Sequence, residues 1–471
     1  NAGYRVILPQ DGNLGEGYWT GIGFLTISPS EDQIGHIISG GLSGGFGVIN
    51  SILSGINTVV DWFSGNAQSR EPIDLVTGDY LYERTDLTIG SGEYPFALAF
   101  KRYYNSGARL DDGPLGLGWA HNFDIRAQLG SDGFQGLGAD SPVDAAAAIV
   151  ENYVAADVLR GAKTKETLVV ATVAHRWFMD RLIDNVVTVK EPPSSAVFLK
   201  LPDGTYNPPN GVASTLTQEP DESYLLQTKH GTRLDFDPQG KITTWQDRND
   251  NTVTFTYTGE RLDAVDNGLG RSFAFTYNGN RLAAVTDHTG RSFDYTHDAA
   301  GNLTSVQNCN EDATTYQYAS DGVLRQIYYP ANPTNAFVTN TYDTLGRVQT
   351  QSDARSNPYD YFFSGDRAEE LDPAGNAKVW HFNDRGKTLQ ETDALGHKSR
   401  STYDGLDRLV RKTQPEGNSA AYEYDNRHNV TKVTLRPKLG AVEPPIATAY
   451  TYEPNFSGVE TLTDPLLRVT T

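Results

Sequence analysis

From about residue 240 the chain alternates apolar and polar positions in short runs, each closed by Asp, Asn or Gly. Thr252-Val253-Thr254-Phe255-Thr256-Tyr257 reads with period two, the signature of a half-buried strand. Aromatic residues then recur at Tyr257, Tyr277, Tyr295, Tyr318, Tyr342, Tyr361, Phe382, Tyr403, Tyr424 and Tyr452, at spacings of 20, 18, 23, 24, 19, 21, 21, 21 and 28. Turn signals keep step: Asp266 to Gly270-Arg271, Asp287 to Gly290-Arg291, Asp372 to Gly375-Asn376 and Asp393 to Gly396-His397. Two strands of about seven residues and two turns of about three or four account for such a period. Each unit is therefore predicted to be a β-hairpin. A lone hairpin is marginal in water, so the units are expected to pair edge to edge into one long sheet that twists and coils.

Upstream the texture differs. Residues 1–70 are Gly-rich with aromatic and β-branched islands, and predict a strand or two, a Gly loop and a short helix over 49–63. Residues 71–139 predict short strands at 72–77, 79–87, 96–104 and 121–128. Residues 140–191 break the β pattern. Ser141-Pro142 starts an Ala-rich helix, and a second helix from Thr164 carries an apolar face through Trp177, Phe178, Leu182 and Val186. This predicts an inserted helical hairpin that leaves at Pro192-Pro193, with the β-hairpin repeats filling 192–471.

Composition narrows the function. The 471 residues hold 39 Lys and Arg against 59 Asp and Glu, a net charge of −20. Such a chain is repelled by phosphate backbones and anionic membranes, so no nucleic-acid partner is expected. The single Cys309 excludes an intramolecular disulfide, zinc ribbons and CxxC redox chemistry. The stretch 34–60 is apolar but broken by Gly and Ser, and no membrane span is expected from it. A start at Asn1 and a lone Met179 read as part of a longer product.

The units Tyr342-Asp343-Thr-Leu-Gly346-Arg347, Tyr403-Asp404-Gly-Leu-Asp407-Arg408 and Tyr424-Asp425-Asn-Arg-His-Asn429 resemble the YD repeats of the Rhs family. The stretch from Pro72 to Leu87, with Tyr103-Tyr104-Asn105-Ser106 and Gly116-Leu-Gly118-Trp119-Ala-His121-Asn122-Phe123, resembles the module that precedes those repeats. Gly17 to Gly45 resembles a piece found ahead of Rhs repeats in large bacterial proteins. The resemblance implies a sheet coiled into a hollow shell, similar to the shells of insecticidal toxin complexes and teneurins. It implies either enclosure of a C-terminal toxic domain or an extracellular adhesive scaffold. No shell-closing segment or toxin domain is recognisable before Thr471, so the chain reads as one part of a larger shell protein.

Several strings invite chemistry. The repeat Tyr and Asp residues are expected to be structural: each Asp closing an Asx-type turn, each Tyr ring stacking on its equivalent in the next hairpin. An alternative is carbohydrate stacking on exposed rings. His175 and Asp180 lie five apart, roughly 140° around a helix, which suits a packing helix capping one end of the shell better than a catalytic pair. Asp247, Asn249 and Asn251 resemble part of a calcium loop but lack the Gly and the bidentate Glu of an EF-hand, which favours a plain turn. Asp111-Asp112-Gly113 reads the same way.

The sequence thus predicts a mainly β protein: a coiled sheet of repeated β-hairpins, open or partial in this chain, with an inserted α-helical hairpin. It is expected to be a non-enzymatic shell segment of a secreted or surface bacterial protein, without a cofactor. Its expected partners are the remainder of its parent chain and an enclosed domain, with glycans or copies of itself under the adhesive alternative. A polysaccharide-active site in the shell interior is the third reading.

Overall fold

The computed structural model describes residues 4–9, 22–27, 68–69, 72–131, 184–201 and 203–471. Among them there is no α-helix, and one 3-10 turn at Ser106–Ala108. The expected helix at 49–63, the Gly-rich loop around 40–45, and the inserted hairpin with His175 and Asp180 lie outside the described residues. The exit of that hairpin is corrected: Val186–Glu191 is a strand, followed by a second at Ser194–Lys200. Its β-branched alternation, Val186, Val187 and Val189 buried, outweighs the helical period assigned to it.

Contacts divide the chain into two compact units. One holds residues 1–57, 129–187 and 198–205. In it Tyr4–Pro9 pairs antiparallel with Ile22–Ile27. The other holds 58–128, 188–197 and 206–471, and contains everything discussed below.

Its main element is a 25-stranded antiparallel sheet from Thr215–Gln218 to Val469–Thr470, with every strand paired to its sequence neighbours. The ladder is linear and not closed on itself. This is the predicted hairpin array. Ten hairpins carry a β-bulge near the same edge of the sheet: at Asp235/Phe236, Thr256/Tyr257, Thr276/Tyr277, Thr296/His297, Gln317/Tyr318, Thr341/Tyr342, His381/Phe382, Thr402/Tyr403, Glu423/Tyr424 and Thr451/Tyr452. The hairpin formed by Pro358–Ser364 and Arg367–Leu371 has none. A bulge adds a residue to one strand and sharpens the local twist. Repeated on one edge, it bends the whole ribbon the same way. We call this the bulged edge and the opposite one the plain edge.

The bend brings the ribbon back onto itself. The plain-edge turn at 228–232 meets bulged-edge turns about 200 residues later. Lys229 Nζ donates to Asn429 Oδ1 (3.1 Å), Arg427 donates to the Lys229 carbonyl (3.3 Å), and His230 Nδ1 lies 3.1 Å from the Phe456 carbonyl. One coil of the sheet therefore takes about 200 residues.

Residues 72–128 form a separate small module. Leu81–Ile89, Leu98–Asn105 and Trp119–His121 make a three-stranded sheet. The strand expected at 72–77 is instead a turn, because Asp74 Oδ1 accepts from the Val76 and Thr77 amides.

The module buries Leu98, Phe100, Tyr104, Trp119 and Phe123 against one face of the coil. Phe123 packs on Phe255, Phe273 and Phe275, and Phe100 on Phe275 and Tyr295. Those four positions share a sheet face by register. We call this module-covered face the inner face.

Candidate functional site: the repeat turns, the module seam and the inner face

The repeat turns share one geometry. In Asp343-Thr-Leu-Gly346-Arg347, Asp343 Oδ1 accepts from the Leu345 amide (2.9 Å) and the Arg347 amide (3.0 Å), and Oδ2 accepts from Arg347 Nε (2.8 Å). Asp404 does the same with Leu406 and Arg408, and Asp425 with Arg427 and Asn429. Asp247 follows the pattern: Oδ1 accepts from the Asn249 and Asn251 amides and Oδ2 from the Asn251 side chain (2.7 Å). Asn249 enters only through its amide. Asp112-Gly113 pairs with Gly116-Leu117 in a two-residue ladder.

Donors such as these hold the carboxylates down. At Asp287, hydrogen bonds from Thr289 and Arg291 outweigh the burial that opposes its charge, and its pKa falls to about 2.

The repeat tyrosines are joined through their hydroxyls. Tyr277 donates to the Leu262 carbonyl (3.0 Å), Tyr318 to Leu303 (2.7 Å), Tyr342 to Leu324 (2.6 Å), Tyr403 to Thr388 (3.2 Å), Tyr424 to Leu409 (2.7 Å) and Tyr452 to Val430 (2.7 Å). Each acceptor stands opposite the preceding repeat aromatic, beside its bulge. One repeat thus satisfies the carbonyl that the previous bulge leaves open. Cations cover several rings, Arg408 over Tyr424 at 4.7 Å and Lys241 over Tyr257 at 5.8 Å. Among the described residues no ring contact joins a repeat tyrosine to its equivalent in the next hairpin.

Two aromatics fall out of phase. Tyr295 and Tyr361 are buried on the inner face, 5% and 4% exposed, whereas His297 occupies the position beside the bulge. Spacing alone favoured the tyrosine two residues away, because residues i and i+2 of a strand share a face.

The seam between module and coil centres on residues that sequence reasoning did not single out. The Arg102 guanidinium donates to Asp86 Oδ2 (2.6 Å) and to the Tyr316 hydroxyl (2.7 Å), and the Tyr295 hydroxyl donates to the same Asp86 oxygen (2.9 Å). The Arg102 and Asp86 side chains are 1% and 2% exposed. Burial opposes the charge on Arg102, but Asp86 beside it leaves its pKa raised overall. Arg102 also lies over the Trp119 and Tyr316 rings, and Trp119 Nε1 donates to the Tyr318 hydroxyl (2.8 Å). The one sequence signal was a cation within the buried run Leu98-Ala-Phe-Lys-Arg102-Tyr-Tyr104.

Beside the seam lies a cleft of about 480 Å³, lined by Asp112, His121, Arg126, Tyr257 and Arg281 among others. Arg126 pairs with Asp124 and Glu260 and Arg281 with Asp112, while Arg261 lies over the Tyr277 ring and donates to Asn280. Burial pushes His121 down to about 4, so it is neutral at pH 7. Among the described residues no group of three His, Cys, Asp or Glu could hold a metal, and no helix is long and apolar enough to cross a membrane.

Along the inner face chemistry changes. Under the module it is Phe255, Phe275, Tyr295 and Tyr316. Further on, the same face by register mixes Asn340, Gln351, Glu370, Glu391, Ser401 and Lys412 with apolar Tyr361, Ala368, Trp380, Val433 and Leu435. Asn340 and Gln351 bond each other in burial (2.9 Å), while Glu391 and Lys412 are exposed.

A linear ladder of bulged hairpins, coiled around an N-terminal module, is the architecture of a repeat-built wall. Its segments match known families. Residues 220–361 match the family model of the teneurin YD-shell, 382–419 and 403–436 that of the RHS repeat, and 70–141 that of a domain of unknown function (DUF6531). The sheet is thus built of Rhs/YD repeats.

Among curated proteins, the tRNA nuclease WapA of Bacillus subtilis (strain 168) is 33% identical over 261 residues, which are 53% of this chain and 11% of that protein. The tRNA3(Ser)-specific nuclease WapA of Bacillus spizizenii is 32% identical over the same length. The chain spans about a tenth of either relative. Among solved structures, TcdB2-TccC3 without its hypervariable C-terminal region aligns with 82% of this chain and 24% of its own, at 11% identity and a TM-score of 0.37. The Tc holotoxin pore of Photorhabdus luminescens aligns over the same shares, at 11% identity and a TM-score of 0.34.

Proposed function

We propose that this chain is a wall segment of a large secreted or surface bacterial protein, and that it acts without catalysis by enclosing a further domain of its parent polypeptide. The observation that carries the reading is the inner face. It is closely packed and aromatic where the module sits and opens beyond Trp380 into a face of mixed polarity, with exposed Glu391 and Lys412 followed by half-exposed Leu435 and Ile446. An open face of mixed polarity of this kind leaves surface for a guest, polar at Glu391 and Lys412 and apolar at Leu435 and Ile446. The match to proteins named as tRNA nucleases supports a toxic domain as the guest. No distinct observation favours adhesion or polysaccharide cleavage over containment.

The test is protease protection of the full parent protein. Enclosure predicts that the sequence following the repeats survives trypsin while the native fold lasts, and is cleaved at once after mild denaturation. Equal cleavage in both states overturns it.

A further inference from the structure

We propose that the module 72–128 is the template that sets the curvature of the coil, beyond any role in closing off an interior. The argument starts from the order of its ties. Along the bulged edge, the Ala127 amide donates to the Gly240 carbonyl (2.8 Å), and the Leu282 amide donates to the Pro114 carbonyl (2.8 Å). The Leu324 amide donates to the Tyr104 hydroxyl (2.9 Å), and the Val348 amide donates to the Gly78 carbonyl (2.8 Å). Module residues 127, 114, 104 and 78 thus meet hairpin residues 240, 282, 324 and 348, one falling as the other rises, while inside the single turn 113–117 the order reverses, Gly113, Leu115 and Leu117 meeting Arg281, His297 and Gly301.

The plain edge repeats the rule. Asn267 donates to the Pro95 carbonyl (2.9 Å), Arg291 to the Thr88 carbonyl (3.0 Å), and the Tyr329 hydroxyl meets that of Tyr82 (3.4 Å). Both edges and the face between them are therefore fastened, in sequence, over just over half of a 200-residue coil.

Local bulges bend a ribbon but leave its radius free to vary, because each hairpin contacts only its neighbours. A rigid body touching successive hairpins removes that freedom. Six of the seven ties in falling order use a backbone group, which fixes position rather than mere proximity; the seventh joins two tyrosine hydroxyls. At Gly240 the approach is so close that a Cβ would overlap the Ala127 carbonyl oxygen. The module also precedes the hairpins in the chain, so it can fold first and receive them one by one, the nearest in sequence first. Without it, the hairpin ladder would still form, since every ladder bond is between sequence neighbours. What would be lost is the return of residue 429 onto residue 229.

The experiment uses the full chain with Cys309→Ser, His230→Cys and Phe456→Cys, which leave the Lys229–Asn429 contact in place, and a short bis-maleimide to report coil closure. Hydrogen exchange over Leu98–Asn105 reports docking of the module. Four further substitutions form a graded series: Tyr318→Phe, Tyr316→Phe, Arg102→Met and Gly240→Val. Tyr316→Phe removes a hydroxyl that faces Arg102 of the module, whereas Tyr318→Phe also removes the bond to the Leu303 carbonyl inside the ladder and so serves as the control for ladder loss. The expected result is that faster exchange and lower cross-linking rank together, with about a tenfold loss of cross-linked product at the severe end for each ~1.4 kcal/mol lost. Strand content by circular dichroism should stay constant. Cross-linking that persists in variants whose module exchanges freely overturns the proposal. So does loss of cross-linking with the module still protected, or a series in which neither readout moves.

Discussion

Lys229 Nζ and Asn429 Oδ1 stand 3.1 Å apart although 200 residues separate them, which makes this contact the place where one coil of the sheet touches the next. The Asn429 amide group also donates to Asp425 Oδ2 (2.9 Å) and Ser457 Oγ (3.2 Å), so the same side chain joins its own turn to two others. Asn429→Ala removes all three bonds at a buried position. Two of the bonds have a charged partner, Lys229 and Asp425, and at about 1.5 kcal/mol for each of these and about 1 kcal/mol for the neutral one a total near 4 kcal/mol is expected. Urea unfolding should show the loss, with Lys229→Ala, more exposed, costing less.

The tyrosine hydroxyls offer a cleaner subtraction. Tyr424→Phe keeps the ring beneath Arg408 and removes only the bond to the Leu409 carbonyl. A destabilisation of about 1 kcal/mol is expected. Tyr361→Phe probes a tyrosine outside the repeat phase, in the hairpin without a bulge, and should leave exchange at the His381/Phe382 bulge of the next hairpin unchanged.

Breaking the buried pair should cost more than the loss of one such hydroxyl. Asp86→Asn leaves Arg102 charged and enclosed, with only the Tyr316 hydroxyl and two rings as company. Removing one partner of a buried pair typically costs about 3–5 kcal/mol. The thermal midpoint should fall markedly, and Arg102→Met in the same chain should recover part of it. Absence of that recovery would mean that the pair fixes geometry beyond its charge balance.

Acidity should act through two groups of opposite sign. Burial lowers His121 to about 4, so the unfolded chain takes up its proton first as pH falls from about 6.5, and stability is lost across that window. Burial raises Asp79 to about 6, above its usual 3.8; here the folded chain holds the extra proton, and stability is lost as pH rises from about 4 to about 6. The two slopes oppose each other between about pH 4 and 6. Asp79→Asn removes one of them, so melting temperature should fall more steeply than in the parent chain as pH drops through that range. Parallel profiles would rule out this balance.

At the fourth position of the turns, glycine with positive φ alternates with strained exceptions. Gly346 has φ of 83°, but Glu311 occupies the same place at 65°. A side chain in the left-handed region costs about 1–2 kcal/mol, partly offset by the unfolded-state entropy that glycine adds. Glu311→Gly should therefore stabilise by roughly 0.5–1 kcal/mol in chemical denaturation.

Much of this was legible in the sequence. Alternation around Phe255 and Phe275, and Asp at the head of each turn, were enough for hairpins and Asx closure, because both depend on neighbours within a few residues. The phase error at Tyr295 shows the limit. Tyr295 and His297 share a face, and only the bulge distinguishes them. The seam was hidden for another reason: Arg102 and Tyr316 are 214 residues apart, and no local pattern records a partner at that distance. The strand at 186–191 was masked by an apolar run that fits either period.

The coil seam carries an arithmetic consequence. It joins a plain-edge turn to a bulged-edge turn, with nineteen strands from Arg233–Phe236 to Ser419–Tyr424 between them. An antiparallel ribbon changes edge with each strand, so a seam of this kind requires an odd count. Gain or loss of a whole hairpin preserves that parity, while a single inserted strand would bring two like edges together. Evolution can lengthen or shorten this wall, but only in steps of two.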